Sequence, residues 1–164
     1  MHYFVDGYNI LFRISVKKTS LQQQRDQLIR EFSSATSNIK ISITLVFDSK
    51  YQTGIWSREH INDLEIIFSS EGQTADEFII EELQRVKNPR QHTVATSDNP
   101  LARQARHLGA RSISAEDFMD LLDHRINKKN NNDNTSQSRY PKNPSPKELD
   151  NYVKIFEERF KKLQ

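Results

Sequence analysis

The sequence predicts an α/β fold, in which helices cover both faces of a mostly parallel central sheet and one further helix follows at the C-terminal end. Short apolar runs typical of strands alternate with segments whose apolar residues recur at helical spacing. The run Leu45-Val46-Phe47 is continuously apolar, which is typical of a central strand buried on both faces. Two of these runs end directly in an acid, at Asp6 and Asp48. These observations together favour an α/β sandwich around a mostly parallel sheet.

The first half of the chain is predicted to contain three strands and one helix. Residues 3–5 form a short apolar strand, residues 39–47 a second and residues 64–68 a third. Between the first two strands, one face of a helix carries apolar residues at helical spacing: Leu21, Leu28, Ile29 and Phe32. The predicted order is therefore strand, helix, strand, strand.

The second half continues the alternation with three helices and two strands. Thr74 and Glu77 have the spacing of a capping box, which predicts a helix start there and a stop at Asn88-Pro89. Residues 92–95 then form a strand, and Asp98 precedes a helix that Gly109 ends. A final strand at 110–113 leads into a helix from Ser114.

The chain is predicted to divide into three segments. Residues 1–126 form the globular domain, residues 127–146 an Asn-rich linker and residues 147–164 an amphipathic helix. The apolar stripe of that helix needs a partner, which is either the body of the protein, a second protomer or another macromolecule.

Composition restricts the possible function classes. The 164 residues suffice for one domain of ordinary size. The chain contains no cysteine, which excludes disulfide frameworks, thiolate zinc sites and cysteine nucleophiles. It has no apolar stretch of the roughly 20 residues that span a bilayer and no signal-peptide pattern. We therefore expect a cytoplasmic protein, a monomer, with no membrane partner.

The charge is unevenly distributed along the chain. Residues 1–124 carry 14 Lys or Arg against 17 Asp or Glu, whereas residues 125–164 carry 10 against 5. A basic segment beside an acidic body could attract the phosphates of a nucleic acid, and a solvated tail is the alternative.

Four aspartates stand where a predicted strand ends or a helix begins: Asp6, Asp48, Asp76 and Asp98. The carboxyl ends of parallel strands share one edge of a sheet, so these acids could converge. Converged carboxylates suit Mg²⁺ or Mn²⁺, which would assist the cleavage of a phosphodiester. Asp76 and Asp98 could instead serve only as helix caps, and Asn9, a further candidate, could be only a turn residue.

Four motifs in sequence order carry a family resemblance: Asp6-Gly7-Tyr8-Asn9, Val46-Phe47-Asp48, Thr74-Ala75-Asp76-Glu77 and Ala95-Thr96-Ser97-Asp98-Asn99. Together they resemble the NYN domains of the PIN-like nuclease superfamily, with the YacP-like branch as the nearest match, over about residues 1–125. The resemblance implies a Rossmann-like three-layer α/β sandwich. It also implies a metal-dependent endoribonuclease that cleaves single-stranded RNA, with messenger RNA at the ribosome as a substrate of some relatives. A non-catalytic module that binds RNA or the ribosome is the alternative.

The same resemblance implies roles for individual residues. Asp6, Asp76 and Asp98 would be the metal-binding and catalytic core, and Asp48 would support it. Asn9 would orient Asp6 or the substrate. Other nucleotide and hydrolase families are excluded because the chain lacks the Gly-rich loop of P-loop NTPases and the Gly-x-Ser-x-Gly elbow of serine hydrolases.

Side chains for RNA contact are predicted on loops at the same edge. Residues 49–60 join two strands there and form a candidate substrate-facing flap. Tyr8, Tyr51 and Trp56 could stack on unpaired bases, or could pack beneath the loops. The candidates for phosphate contact are cationic: Lys50, Arg58 and Arg103.

Overall fold

The computed structural model of the chain describes residues 1–14, 19–49 and 57–130. Within these ranges the strands are β1 (His2–Asp6), β2 (Ser42–Phe47), β3 (Ser57–Ile61), β4 (Leu64–Phe68), β5 (His92–Ala95) and β6 (Arg111–Ile113). The helices are α1 (Gly7–Ile14), α2 (Leu21–Ile39), α3 (Ala75–Arg85), α4 (Asn99–His107) and α5 (Ala115–Asn130), with a short 3-10 turn at Pro89–Gln91.

The six strands form one sheet in the order β3-β4-β2-β1-β5-β6. All neighbouring pairs are parallel except β3 with β4. The chain leaves β1 towards β2 on one side and later returns to place β5 on the other side, so the strand order reverses between β1 and β5. This topological switch point is where open α/β sheets bind ligands.

Helices cover both faces of the sheet, which confirms the predicted three-layer α/β sandwich. Alternate residues of β1 point to opposite faces, as the pleat of a strand requires. Tyr3 and Val5 pack in the core beneath α1, α2 and α5, whereas Phe4 packs in the core beneath α3 and α4. The central strands β1 and β2 are buried on both faces because both layers of helices are present.

The predicted capping box begins α3 as expected. The Thr74 hydroxyl accepts a hydrogen bond from the Glu77 N–H, and the Glu77 carboxylate accepts one from the Thr74 N–H at 2.8 Å. A second capping box, formed by Ser20 and Gln23, begins α2. Each box satisfies backbone donors that the first turn of a helix leaves open.

The structure contains two elements that the sequence prediction omitted. Helix α1 follows β1 without a loop, and Ile10 and Leu11 on its inner face are buried. Strand β3 is an edge strand of largely exposed polar residues, so it has no apolar alternation to predict it. The predicted flap at 49–60 therefore includes the first part of β3.

Some predicted boundaries also differ. Helix α2 continues to Ile39 and ends at Lys40, whose φ of 46° lies in the left-handed region, so β2 begins only at Ser42. Helix α5 continues to Asn130, four residues beyond the predicted domain end at 126. The remainder of the predicted linker and the predicted helix at 147–164 lie outside the described residues. Among the described helices, none combines the length and apolarity needed to cross a membrane.

Candidate active site

Four aspartates lie on the elements that surround the switch point. Asp6 is the last residue of β1, and Asp48 directly follows β2. Asp76 lies in the first turn of α3, and Asp98 is the N-cap of α4 after β5. We refer to these four residues as the aspartate cluster.

Asp6 is the member of the cluster whose electrostatics are most perturbed. Its Oδ1 atom accepts a hydrogen bond from the Asn9 N–H at 3.0 Å, which by itself favours the charged carboxylate. Burial acts in the opposite direction and more strongly, and the charges of Asp76, Asp48 and Asp98 add to it. The pKa of Asp6 is therefore raised from 3.8 to about 6.

The causes of the raised pKa of Asp6 also show that the four aspartates lie close enough to interact. Three carboxylates on separate elements each oppose the ionisation of Asp6, so all four groups share one electrostatic environment at the carboxyl edge of the sheet. Like charges in one partly buried site are costly unless a cation joins them. A bound divalent cation would reduce that cost.

Asp98 caps helix α4 with only one of its two carboxylate oxygens, so it could also bind a metal ion. Its Oδ1 atom accepts a hydrogen bond from the Leu101 N–H at 2.8 Å, as an N-cap does. Among the described residues its Oδ2 atom accepts no hydrogen bond, and the same is true of the Oδ2 atom of Asp6. In each residue, a hydrogen bond from a backbone N–H uses one carboxylate oxygen, and the other oxygen remains available to a ligand.

A closed ring of hydrogen bonds fixes the loops on both sides of the switch point. The Asn9 side-chain oxygen accepts from the Ser97 N–H at 3.0 Å, and the Ser97 hydroxyl donates to Glu116 Oε2 at 2.7 Å. Glu116 Oε1 accepts from Arg13, which lies one helical turn after Asn9 on α1, at 3.0 Å. The ring joins α1, the loop between β5 and α4, and the start of α5.

Ser97, Glu116 and Arg13 were not among the candidate residues predicted from sequence. Ser97 belongs to one of the four motifs, but its hydroxyl also accepts from the Ala115 N–H, which only the folded chain brings near. The Arg13–Glu116 contact joins residues 103 positions apart. No local pattern could have indicated these pairs.

The close approach of Phe47 explains why the residue after Asp6 is a glycine. A Cβ atom at this position would lie 2.7 Å from Cδ1 and 2.9 Å from Cζ of Phe47, closer than side chains pack. Phe47 is the last residue of β2 and is fully buried. Glycine therefore allows α1 to begin directly after Asp6, against the neighbouring strand.

The predicted RNA-contacting residues lie in different environments in the structure. Tyr8 is only 3% exposed and packs against Phe47, so its packing alternative is favoured and base stacking is not supported. The neighbouring Phe12, which was not predicted, is 55% exposed and stacks on Tyr8. Lys50, Tyr51 and Trp56 lie outside the described residues.

The two remaining predicted cations differ from each other. Arg58 Nε lies 3.1 Å from Glu65 and Arg58 Nη2 lies 3.8 Å from Glu82, so its charge is already balanced by two carboxylates. Arg103 is exposed in the middle of α4 and forms no ion pair with another described residue. Of these two, Arg103 is the better placed to contact a phosphate.

The residue types of the cluster fit a divalent cation with oxygen ligands. Within residues 1–14, 19–49 and 57–130, however, no three acidic or histidine side chains are already arranged to hold a metal ion. Mg²⁺ is usually bound through one or two carboxylates, with water and substrate phosphates as the other ligands. The cluster is compatible with that mode of binding.

Comparisons with known proteins relate the whole fold to one family. The sequence model of the YacP-like NYN domain matches residues 3–163, beyond the range of the four motifs. A curated Bacillus subtilis (strain 168) protein, described as uncharacterized protein YacP, is 33% identical over 99 residues, covering 57% of this chain. The alignment spans 58% of that relative, which is less than two thirds of its length.

Two solved structures have a similar fold. The crystal structure of Rae1 (YacP) from Bacillus subtilis has a TM-score of 0.64 and 27% identity, and the match covers 78% of this chain and 76% of that one. The structure of a tryptophan-to-leucine mutant of the same protein gives 0.64 and 27%, with 77% of each chain covered. Both similarities extend over most of the described fold.

Proposed function

Because the chain belongs to the YacP-like NYN domain family, within the PIN-like nuclease superfamily, we propose that it is a metal-dependent endoribonuclease that cleaves single-stranded RNA. The family supports an RNA-related nuclease function, and NYN and PIN-like nucleases generally use divalent metals. The aspartate cluster would be the catalytic and metal-binding site.

The observation that carries this proposal is the position of Asp6, which lies partly buried at the switch point beside three further aspartates and has a raised pKa. Burial and three neighbouring aspartates make its ionised form costly, although a backbone hydrogen bond stabilises that form. A buried group with a strongly perturbed pKa at a topological switch point is typical of a functional site. Helix capping and the helix dipole account for Asp98 and Asp76, but a stable fold alone gives no reason for Asp6 beside them.

The cluster would hold Mg²⁺ or Mn²⁺ through Asp6, Asp76 and Asp98, with Asp48 as a supporting charge. The bound ion would activate a water molecule and stabilise the charge that develops on the phosphate. The protein's own residues would position the carboxylates. The Asn9 N–H holds Oδ1 of Asp6, and the Leu101 N–H holds Oδ1 of Asp98, so that both Oδ2 atoms keep fixed directions.

A direct test compares the wild type with Asp6→Asn and Asp76→Asn in cleaving single-stranded RNA, with Mn²⁺ or Mg²⁺ and with chelator. A matched control, Glu59→Gln, removes an exposed carboxylate from β3. We expect cleavage only by the wild type and the control, and only with metal. Equal cleavage by all four proteins would reject the aspartate cluster as the site.

We further propose messenger RNA engaged by the ribosome as the substrate, in the cytoplasm, because the resemblance to the YacP-like branch implies it. The test compares cleavage of one messenger RNA when free and when translated. A faster reaction on the translated RNA would support the proposal, and equal rates would contradict it.

A non-catalytic RNA-binding module is the second candidate. One observation favours it, since the described residues contain no preformed group of three metal ligands. This candidate predicts that Asp6→Asn binds RNA at least as tightly as the wild type and that neither protein cleaves it with any divalent ion. The cleavage test above therefore separates the two candidates.

A further inference from the structure

A concave pocket lies at the edge of the sheet opposite the aspartate cluster. Helix α2 leads into the amino end of β2, and α5 runs back from the carboxyl end of β6, so both helices end at this opposite edge. The pocket between their ends has a volume of about 360 Å³. We refer to it as the basic pocket, and its lining residues are Asn38, Ile39, Lys40, Arg125, Lys128 and Lys129.

The four cations of the basic pocket have no ion-pair partner within the described part of the chain. Lys40, Lys128 and Lys129 are exposed, Arg125 is half-buried, and none of the four forms an ion pair or a side-chain hydrogen bond there. Other arginines of the protein do pair, such as Arg13 with Glu116.

Helix dipoles do not account for this concentration of charge. The C-terminal ends of α2 and α5 attract cations, but each end is equivalent to only about half of a negative charge. Two ends therefore offset about one of the four positive charges. About three positive charges remain for an external anion.

The structure also locates much of the basic surplus seen in the sequence. Residues 125–164 carry ten Lys or Arg against five Asp or Glu. Three of the ten, Arg125, Lys128 and Lys129, line the pocket, and residues 125–130 contain no acid. This part of the surplus belongs to the folded body, on helix α5.

We propose that the basic pocket binds the phosphate backbone of RNA, as a second attachment site remote from the aspartate cluster. This inference rests on the proposed function. The acids of the cluster repel a polyanion, so backbone affinity has to come from cations elsewhere on the surface. Ile39 and the aliphatic stems of the cations contribute apolar surface to the pocket lining.

The position of the pocket determines which RNA molecules would use it. Strand β2 has six residues, so the two edges of the sheet are separated by about 20 Å. A dinucleotide at the aspartate cluster does not reach the pocket, whereas a longer single strand that passes around the domain does. The pocket should therefore increase the affinity for long RNA and leave a dinucleotide unaffected.

The test uses the full chain with the triple substitution Arg125→Gln, Lys128→Gln and Lys129→Gln. Glutamine has nearly the same helix propensity as lysine and arginine, so α5 should persist. The control removes three exposed cations outside the pocket, by Lys87→Gln, Arg90→Gln and Arg111→Gln. Binding to single-stranded RNA is measured across salt concentrations in chelator, and circular dichroism checks folding.

We expect the pocket variant to lose about tenfold in affinity for long RNA, and its salt slope to fall by about 0.7 for each lost phosphate contact. The control should lose clearly less. An equal loss in both variants would assign the effect to net charge and overturn the inference. A loss of polyglutamate binding with unchanged RNA binding would also overturn it, because the pocket would then select an acidic polypeptide.

Cleavage distinguishes a failure of this inference from a failure of the proposed function. With Mn²⁺, the pocket variant should cleave a dinucleotide as fast as the wild type but long RNA more slowly at low concentration. If the wild type cleaves RNA and the variant matches it on long RNA, only the pocket inference fails. If the wild type neither binds nor cleaves RNA, the proposed function fails as well.

Discussion

The side-chain oxygen of Asn9 accepts a hydrogen bond from the backbone N–H of Ser97 at 3.0 Å, across the switch point between β1 and β5. The two residues are 88 positions apart in the chain. The bond fixes the helix that begins beside Asp6 relative to the loop that carries Asp98. It therefore holds Asp6 and Asp98, two members of the aspartate cluster, at a fixed distance from each other.

Asn9→Ala should destabilise the protein by about 1–3 kcal/mol, because the partly buried Ser97 N–H would lose its acceptor. Urea unfolding measures the change, and hydrogen exchange should accelerate at the Ser97 amide. Asn9→Asp is the control for hydrogen exchange, because it keeps an acceptor for the Ser97 N–H, and its added charge beside Asp6 excludes it from the stability comparison. Unchanged exchange at Ser97 in Asn9→Ala would contradict the assigned contact.

Asp6→Asn should stabilise the protein at neutral pH in the absence of divalent cations, although it should abolish cleavage. The folded state raises the pKa of Asp6 from 3.8 to about 6, so the folded state binds the proton more tightly than the unfolded state. The free energy of unfolding of the wild type therefore falls as pH rises through this window. The penalty at pH 7 is about 3 kcal/mol.

Urea unfolding at a series of pH values tests this expectation. The advantage of Asp6→Asn over the wild type should be small near pH 4, grow to about pH 6 and then stay constant. Glu59→Gln, which removes an exposed carboxylate, should show no such growth. A constant difference at every pH would disprove the raised pKa.

Mg²⁺ or Mn²⁺ should raise the thermal unfolding temperature of the wild type, because a ligand that binds only the folded state stabilises it. The increase should grow with the logarithm of metal concentration once the site is saturated. It should be greatly reduced in Asp6→Asn and in Asp98→Asn. The same increase in all three proteins would place the bound metal elsewhere.

Gly7→Ala should destabilise the fold by about 1–3 kcal/mol, because the added Cβ atom overlaps the ring of buried Phe47. Thermal unfolding measures the loss. The double variant Gly7→Ala with Phe47→Leu should show coupling, since the smaller side chain relieves the overlap. Strictly additive effects of the two substitutions would contradict a direct clash.

Arg58→Ala and Arg103→Ala should have opposite effects on stability and on RNA affinity. Arg58 pairs with Glu65 and Glu82, so its loss should lower stability by up to about 1 kcal/mol and change RNA affinity little. Arg103→Ala should leave stability unchanged and weaken RNA binding. The reverse pattern, measured by thermal unfolding and filter binding, would restore Arg58 as an RNA contact.

The sequence predicted most of the fold because its signals are local. The capping box of Thr74 and Glu77, the apolar run at Leu45-Val46-Phe47 and the alternation of strands and helices all depend on neighbouring residues. Helix α1 was missed because its first residues look like a turn after Asp6. Strand β3 was missed because a polar edge strand lacks an apolar pattern.

The site could be predicted only in part, for a related reason. Asp6, Asp48, Asp76 and Asp98 each follow a recognisable local element, so their shared edge could be expected from strand polarity. The strand order and the partners of Asn9 and Glu116 depend on contacts between residues about 90 or more positions apart. Such pairings cannot be recognised in a single sequence. The basic pocket could not be recognised either, because the C-terminal ends of two helices form it together.

The placement of β5 next to β1 has a consequence for how the protein is made. Strand β1 is synthesised first, but its neighbour β5 appears about 90 residues later, and β6 and α5 follow still later. A chain emerging during translation cannot pair these strands or close the contact between Asn9 and Ser97 until nearly the whole domain is available. Under the proposed function, a growing chain would therefore acquire cleavage activity only after β5, β6 and α5 have been synthesised.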